Sequence, residues 1–151
     1  MAAAASNTAG TGRGLTWPQI LGLTIGAVYT LIGILGFFVT GFDDFAAHTP
    51  DETLLGFSIN PLHNIVHILI GVAGLALSRT LSGARTYGWL LAIGYGATFV
   101  YGLFAANSEE PLNFLSINTA DNWLHLLSAL AGLAIALGPV RNAVDRRSAR
   151  V

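Results

Sequence analysis

The chain has no cysteine and no lysine, and only 10% of its 151 residues are charged. Without cysteine there is no disulfide, no iron–sulfur cluster and no thiolate metal site, and thiol usage says nothing about compartment. Without lysine, and with arginine confined to the chain ends and one central loop, no basic surface can follow a phosphate backbone. That excludes a nucleic-acid role. Ordinary globular chains carry about a quarter charged residues, so a water-facing surface would be hard to cover here. What the chain has instead is apolar: 53% of its residues are hydrophobic.

The apolar residues fall into four runs, which predict transmembrane helices over about 17–40, 61–78, 87–106 and 119–139. Residues 1–16, rich in Ala, Gly, Ser and Thr, read as a disordered tail rather than a cleaved signal peptide, because the stretch after Arg13 is too long for a signal core. Residues 140–151 form a basic tail. The stretch Arg79–Thr86 reads as a short loop. All seven arginines lie in the two tails or that loop, whereas Asp43, Asp44, Asp51, Glu52, Glu109 and Glu110 lie in the other two loops. The positive-inside rule then places both termini in the cytoplasm and the acidic loops outside, and Trp17, Trp89 and Trp123 near span ends fit an aromatic belt. The setting expected from this is the cytoplasmic membrane of a bacterium, with the lipid bilayer as the first partner. Other membrane subunits or a second copy are further possible partners.

The two halves resemble each other. Laid over one another at an offset of 58, residues 57–77 and 115–135 agree at ten of 21 positions. The agreement includes Ser58-Ile59-Asn60 with Ser116-Ile117-Asn118, Asn64 with Asn122, and His67 with His125. Shared apolar composition does not explain matched asparagines and histidines. The first and third spans match more weakly, through Ile25-Gly26 with Ile93-Gly94 and Thr30 with Thr98. Each unit holds two spans, so the expected fold is an all-α four-helix bundle with a parallel internal duplication of a helix hairpin.

At 3.6 residues per turn, Asn60, His63, Asn64, His67, Gly71, Gly74 and Ser78 share one stripe. On the fourth span the stripe reads Asn118, Asp121, Asn122, His125, Ala129, Gly132 and Ala136. Gly22, Gly26, Tyr29, Gly33 and Gly36 offer a comparable face on the first span. The simplest assembly sets the two polar stripes opposite each other. Ionisable groups within a span are rare and face the protein interior, so the histidines invite a functional reading.

Three accounts follow from the stripe. In the first, His63, His67, Asp121 and His125 bind a divalent metal ion: both pairs are spaced i, i+4, which puts two ligands on one helix face. Asn60, Asn64, Asn118 and Asn122 would then bond to the ligands or to the bundle. In the second, the stripe only packs helices, with Asn60–Pro61 and Asn118–Asp121 acting as caps, and the chain is a ligand-free structural or accessory subunit. In the third, His67 and His125 hold a haem for electron transfer, and the neighbouring glycines make room for the macrocycle. Hydrolytic catalysis finds little support: Asn64 stands where a zinc-protease helix carries its glutamate. Conduction finds little, because the inner halves of the stripes hold only Gly, Ala and Ser. His48 has no counterpart in the second half and reads as a loop residue.

The segments NPLHNIVHILIGVAGLAL and NFLSINTADNWLHLL, with their paired Asn-x-x-His stretches, resemble a bacterial family of small four-helix membrane proteins catalogued as a domain of unknown function. The resemblance covers about Trp17 to Gly138 and implies a polytopic plasma-membrane protein. It implies no activity, ligand or partner.

Overall fold

The computed structural model describes residues 14–108 and 111–140. Most of both tails, with Arg13 and the C-terminal arginines, and the pair Glu109–Glu110 lie outside those residues. Four helices form: α1 (Trp17–Thr40), α2 (Pro61–Leu77), α3 (Leu81–Ala105) and α4 (Thr119–Leu137). A two-residue antiparallel ladder, β1 (Thr53–Leu54) with β2 (Phe57–Ser58), pins the long loop after α1.

Local chemistry sets the helix ends. Asn60 Oδ1 accepts the His63 N–H at 2.9 Å, and Pro61 occupies the first turn, where a missing N–H costs nothing. At α4 the expected capping box is present: Asn118 Oδ1 accepts from Asp121 N, and Asp121 Oδ2 accepts from Asn118 N, both at 3.0 Å. The third helix departs from expectation. It starts at Leu81 rather than Tyr87, because Thr80 caps it through a 3.0 Å bond from Gly83 N. Arg79–Thr86 is therefore mostly helix, and Arg85, inside it, donates to the Ile135 and Gly138 carbonyls at the end of α4.

The molecule is inverted relative to a water-soluble one. Asn60, Asn64 and Ser78 are fully buried, whereas Phe38 is 84% and Ile93 68% exposed. Three helices, α1, α3 and α4, are long and apolar enough to cross a membrane; α2 is apolar but has 17 residues.

α1 packs on α2 and α3 on α4, while α1 and α3 also meet in the middle. No Cα of α2 lies within 8 Å of one in α4. The two polar stripes thus converge through their side chains alone, across a centre flanked by α1 and α3, and are not in direct helix–helix contact. Glycines make the close pairings possible. A Cβ on Gly26 would stand 2.8 Å from Leu75 N and 2.9 Å from Gly71 O; one on Gly132 would stand 2.6 Å from Ala92 N. Gly94, by contrast, has nothing within 4 Å of that position. The match of Ile25-Gly26 with Ile93-Gly94 is therefore not the spatial correspondence. Gly22 abuts Ser78 and Gly88 abuts Ala136, and Gly36 abuts Asn64 as Gly102 abuts Asn122. The corresponding residues are Gly22, Tyr29, Gly36 and Gly88, Tyr95, Gly102, each set spaced by seven, at an offset of 66.

Candidate metal centre

At the end of the bundle that carries the acidic loops, α2 and α4 direct three imidazoles into one space. His63, His67 and His125 each bring a ring nitrogen within 4.8 Å of the others, and all three residues are buried. The rings of His63 and His67 lie 4.5 Å apart, those of His63 and His125 6.1 Å apart. A floor of two tyrosines lies against them: Tyr29 contacts His67 at 5.0 Å, Tyr95 stacks on His125 at 5.4 Å, and the tyrosines stack on each other at 5.3 Å. The Tyr29 hydroxyl meets Ser128 Oγ at 2.5 Å.

The roof comes from the two loops, which interlock. Asn60 Nδ2 donates to the carbonyls of Ala47 and Phe114, at 2.9 and 2.8 Å. Thr49 N donates to Ser116 Oγ, and Asn118 Nδ2 to Gly56 O and Ser58 Oγ. Asn113 exchanges two bonds with the Ile117 backbone. Beneath this roof a cavity of about 20 Å³ reaches His67, Asn64 and Asp121.

Three of the four stripe asparagines are hydrogen-bonded through their side chains, and two of the three clustered histidines keep an unpartnered ring nitrogen. Asn60 and Asn118 cap helices and tie the roof, and Asn64 Nδ2 donates to Thr40 Oγ1 at 3.0 Å. Asp121, though buried, is not in the group of close nitrogens; its Oδ2 accepts the backbone N–H of both Ser58 and Asn118. Nδ1 of His63 and Nδ1 of His125, by contrast, are buried with no hydrogen-bond partner. An unsatisfied buried nitrogen costs about 1–3 kcal/mol and calls for an explanation. Asn122 Oδ1 and the hydroxyls of Tyr95, Tyr87 and Ser78 are also unpartnered, the first two for a local reason. By the correspondence of the two halves, the place of Thr40 falls to Ala106 and that of Ser128 to Ile70, and neither offers a hydroxyl. Ser128, Thr49 and Asn113 had no distinguishing motif of their own; Ser116 belongs to the repeated Ser-Ile-Asn segment, and the seven-residue Gly–Tyr–Gly spacing is the signal that points to the tyrosines.

Residues 19–138 match the family described as a domain of unknown function, DUF4383. The chain belongs to that family. No curated protein and no solved structure matches it. In this DUF4383 chain the glycines beside the histidines leave no space for a macrocycle. Gly71 is filled by Thr30 and Gly26, and Gly132 by Gly88 and Ala92. The haem account expected those glycines to be open, and the close helix approach uses them instead. Three buried imidazoles around one point are a donor set of the kind that zinc, copper or ferrous iron takes.

Proposed function

We propose that the chain is a four-span protein of the cytoplasmic membrane that binds one divalent transition-metal ion at its outer-leaflet end, through His63, His67 and His125. The observation that carries this is the convergence of three buried imidazoles whose nitrogens lie within 4.8 Å. Two of them have an Nδ1 that no protein group satisfies. Tetrahedral coordination at about 2.0–2.1 Å sets ligand nitrogens about 3.3 Å apart, a distance that small ring rotations reach. Asp121 belongs to the rim of the site. Its Oδ2 fixes the N-terminus of α4, and with it the position of His125 one turn later, while the side chain shares a cavity with His67.

The reading includes a topology and an origin. The arginines at the other end support cytoplasmic termini. The shared Gly–Tyr–Gly and Asn-x-x-His elements support duplication of a hairpin about an axis along the membrane normal. α2 spans only about 25 Å at 1.5 Å per residue, so its polar outer turn lies near the headgroups, beneath the roof.

Elemental analysis of the detergent-purified protein, prepared without a metal-binding tag, tests the site. About one ion per chain is expected, lost in His63→Ala and His125→Ala with the helical content retained. Binding weakens as the medium is acidified, because protons compete for the imidazole nitrogens. A folded wild-type protein that takes up no zinc, copper or iron returns the histidines to a packing role.

A further inference from the structure

Three imidazoles leave a tetrahedral ion one position short, and what reaches that position decides what the centre does. The cavity that touches His67 narrows the choice. Its volume is about 20 Å³, room for one molecule the size of water. Ile32 of α1, Leu124 of α4 and Leu54 and Phe57 of the β1–β2 hairpin form apolar walls, and His67 and Asp121 stand at the polar end. The cavity is therefore bounded by α1, α2 and α4 and by the β1–β2 hairpin of the roof. A hydrated anion would surrender its water shell to a largely apolar lining, and would meet the carboxyl group of Asp121. A molecule of more than a few heavy atoms does not fit.

We propose that this cavity is the approach to an open coordination position on the three-histidine ion, and that the ligand it admits is a small neutral molecule of the class of dioxygen, nitric oxide or carbon monoxide. The inference rests on the metal reading given above. Such molecules dissolve readily in hydrocarbon and give up no hydrogen bond on entering a lining made largely of Ile32, Leu54, Phe57, Ile59 and Leu124. Asn64, also on the cavity wall, is held by Thr40 and keeps the slot's inner end in place. Ile32 and Leu124 then act as the selective element, since their side chains set its width from opposite helices.

The test loads the purified full chain with ferrous iron under anaerobic conditions, measures bound iron, and titrates nitric oxide while recording the electron paramagnetic resonance of an iron–nitrosyl. Azide serves as the anionic counterpart. The expected result is a nitrosyl signal in the wild type, no spectral response to azide, and at least a tenfold weaker response to nitric oxide in Leu124→Phe. Ile32→Phe fills the same space from the other side and serves where Leu124→Phe does not fold. Both variants should keep their iron, since neither residue is a ligand. Iron-loaded protein without a nitrosyl signal, filled variants that bind nitric oxide like the wild type, or an equal response to azide would each overturn the inference while leaving the metal site standing. A protein that binds no metal overturns both.

Discussion

The two hairpins are built to one plan and differ where chemistry is concerned. Gly22 and Gly88, Tyr29 and Tyr95, and Gly36 and Gly102 occupy corresponding places, as do Asn64 and Asn122 and His67 and His125. These shared residues set how close the helices come. The exceptions around the imidazoles are His63 against Asp121, Thr40 against Ala106 and Ile70 against Ser128. A symmetric bundle would present two histidines, or four. The replacement of one by an aspartate that caps α4 leaves three, together with two hydroxyls, Thr40 and Ser128, that satisfy Asn64 and Tyr29, while Asn122 Oδ1 and the Tyr95 hydroxyl have none. Packing is thus common to the halves, and the candidate site arises from their asymmetry.

The largest effect should break the correspondence of α1 with α3. Gly26→Ala puts a methyl group within 3 Å of the Leu75 and Gly71 backbone, which cannot yield without separating α1 from α2. A loss of about 3 kcal/mol is expected from overpacking of this kind. Gly94→Ala meets open space and should gain up to about 1 kcal/mol of helix propensity. Thermal unfolding in detergent compares them directly. Equal losses would restore the register in which Gly26 corresponds to Gly94.

That register also shows what the sequence could and could not say. The stripes on α2 and α4 and their asparagine caps were legible, because polar residues in apolar runs stand out and keep helical spacing. Asp121, expected beside the three histidines as a ligand, bonds instead to the Ser58 and Asn118 backbone. The pairing of α1 with α3 was not. Small and apolar residues recur so often in such helices that a two-residue slip still yields matches, and only the close approach at Gly22, Gly36, Gly88 and Gly102 fixes it. The start of α3 was missed because hydropathy reads where hydrocarbon begins and not where a helix begins; Ser82, Arg85 and Thr86 continue the helix past the apolar run. The β1–β2 ladder, two residues per strand, is too short for any periodicity to announce. The stripes were expected to face each other directly. The side chains converge, but α2 and α4 stay apart because the Tyr29–Tyr95 stack lies between their hairpin partners.

The His63–Asp121 exception gives the next effect. Asp121→Ala strips the acceptor from two backbone N–H groups and should cost about 2 kcal/mol whether or not metal is present. His63→Ala removes a side chain whose Nδ1 has no partner, so its cost in metal-free protein should be the smaller. Added zinc should stabilise the wild type and Asp121→Asn, and leave His63→Ala unchanged. If zinc stabilises His63→Ala as much as the wild type, the two positions do not differ in the way proposed. The asparagines sharpen the same contrast at lower energy. Asn64→Ala loses a bond to Thr40, Asn122→Ala loses none that its Oδ1 makes, and the first should be the costlier by about 1 kcal/mol. Paired melting curves decide this.

The smallest effect concerns the tyrosine floor. Tyr29 has Ser128 within 2.5 Å, whereas Tyr95 faces the half without that serine and its hydroxyl is unpartnered. Ile70→Ser places a hydroxyl where the correspondence says Tyr95 should find one. It gives up apolar surface, about 1–2 kcal/mol for a partly buried isoleucine, and gains about 1 kcal/mol from a buried hydrogen bond that ends an unsatisfied group. The two nearly cancel, so Ile70→Ser should lie within about 1 kcal/mol of the wild type, while Ile70→Ala, with the same loss and no bond, falls below it. The same substitution in Tyr95→Phe protein tells the two contributions apart, since the hydroxyl it is meant to satisfy is gone. Additive costs in that double-mutant cycle would mean that Tyr95 does not point at residue 70, and that the halves diverge in shape as well as in chemistry.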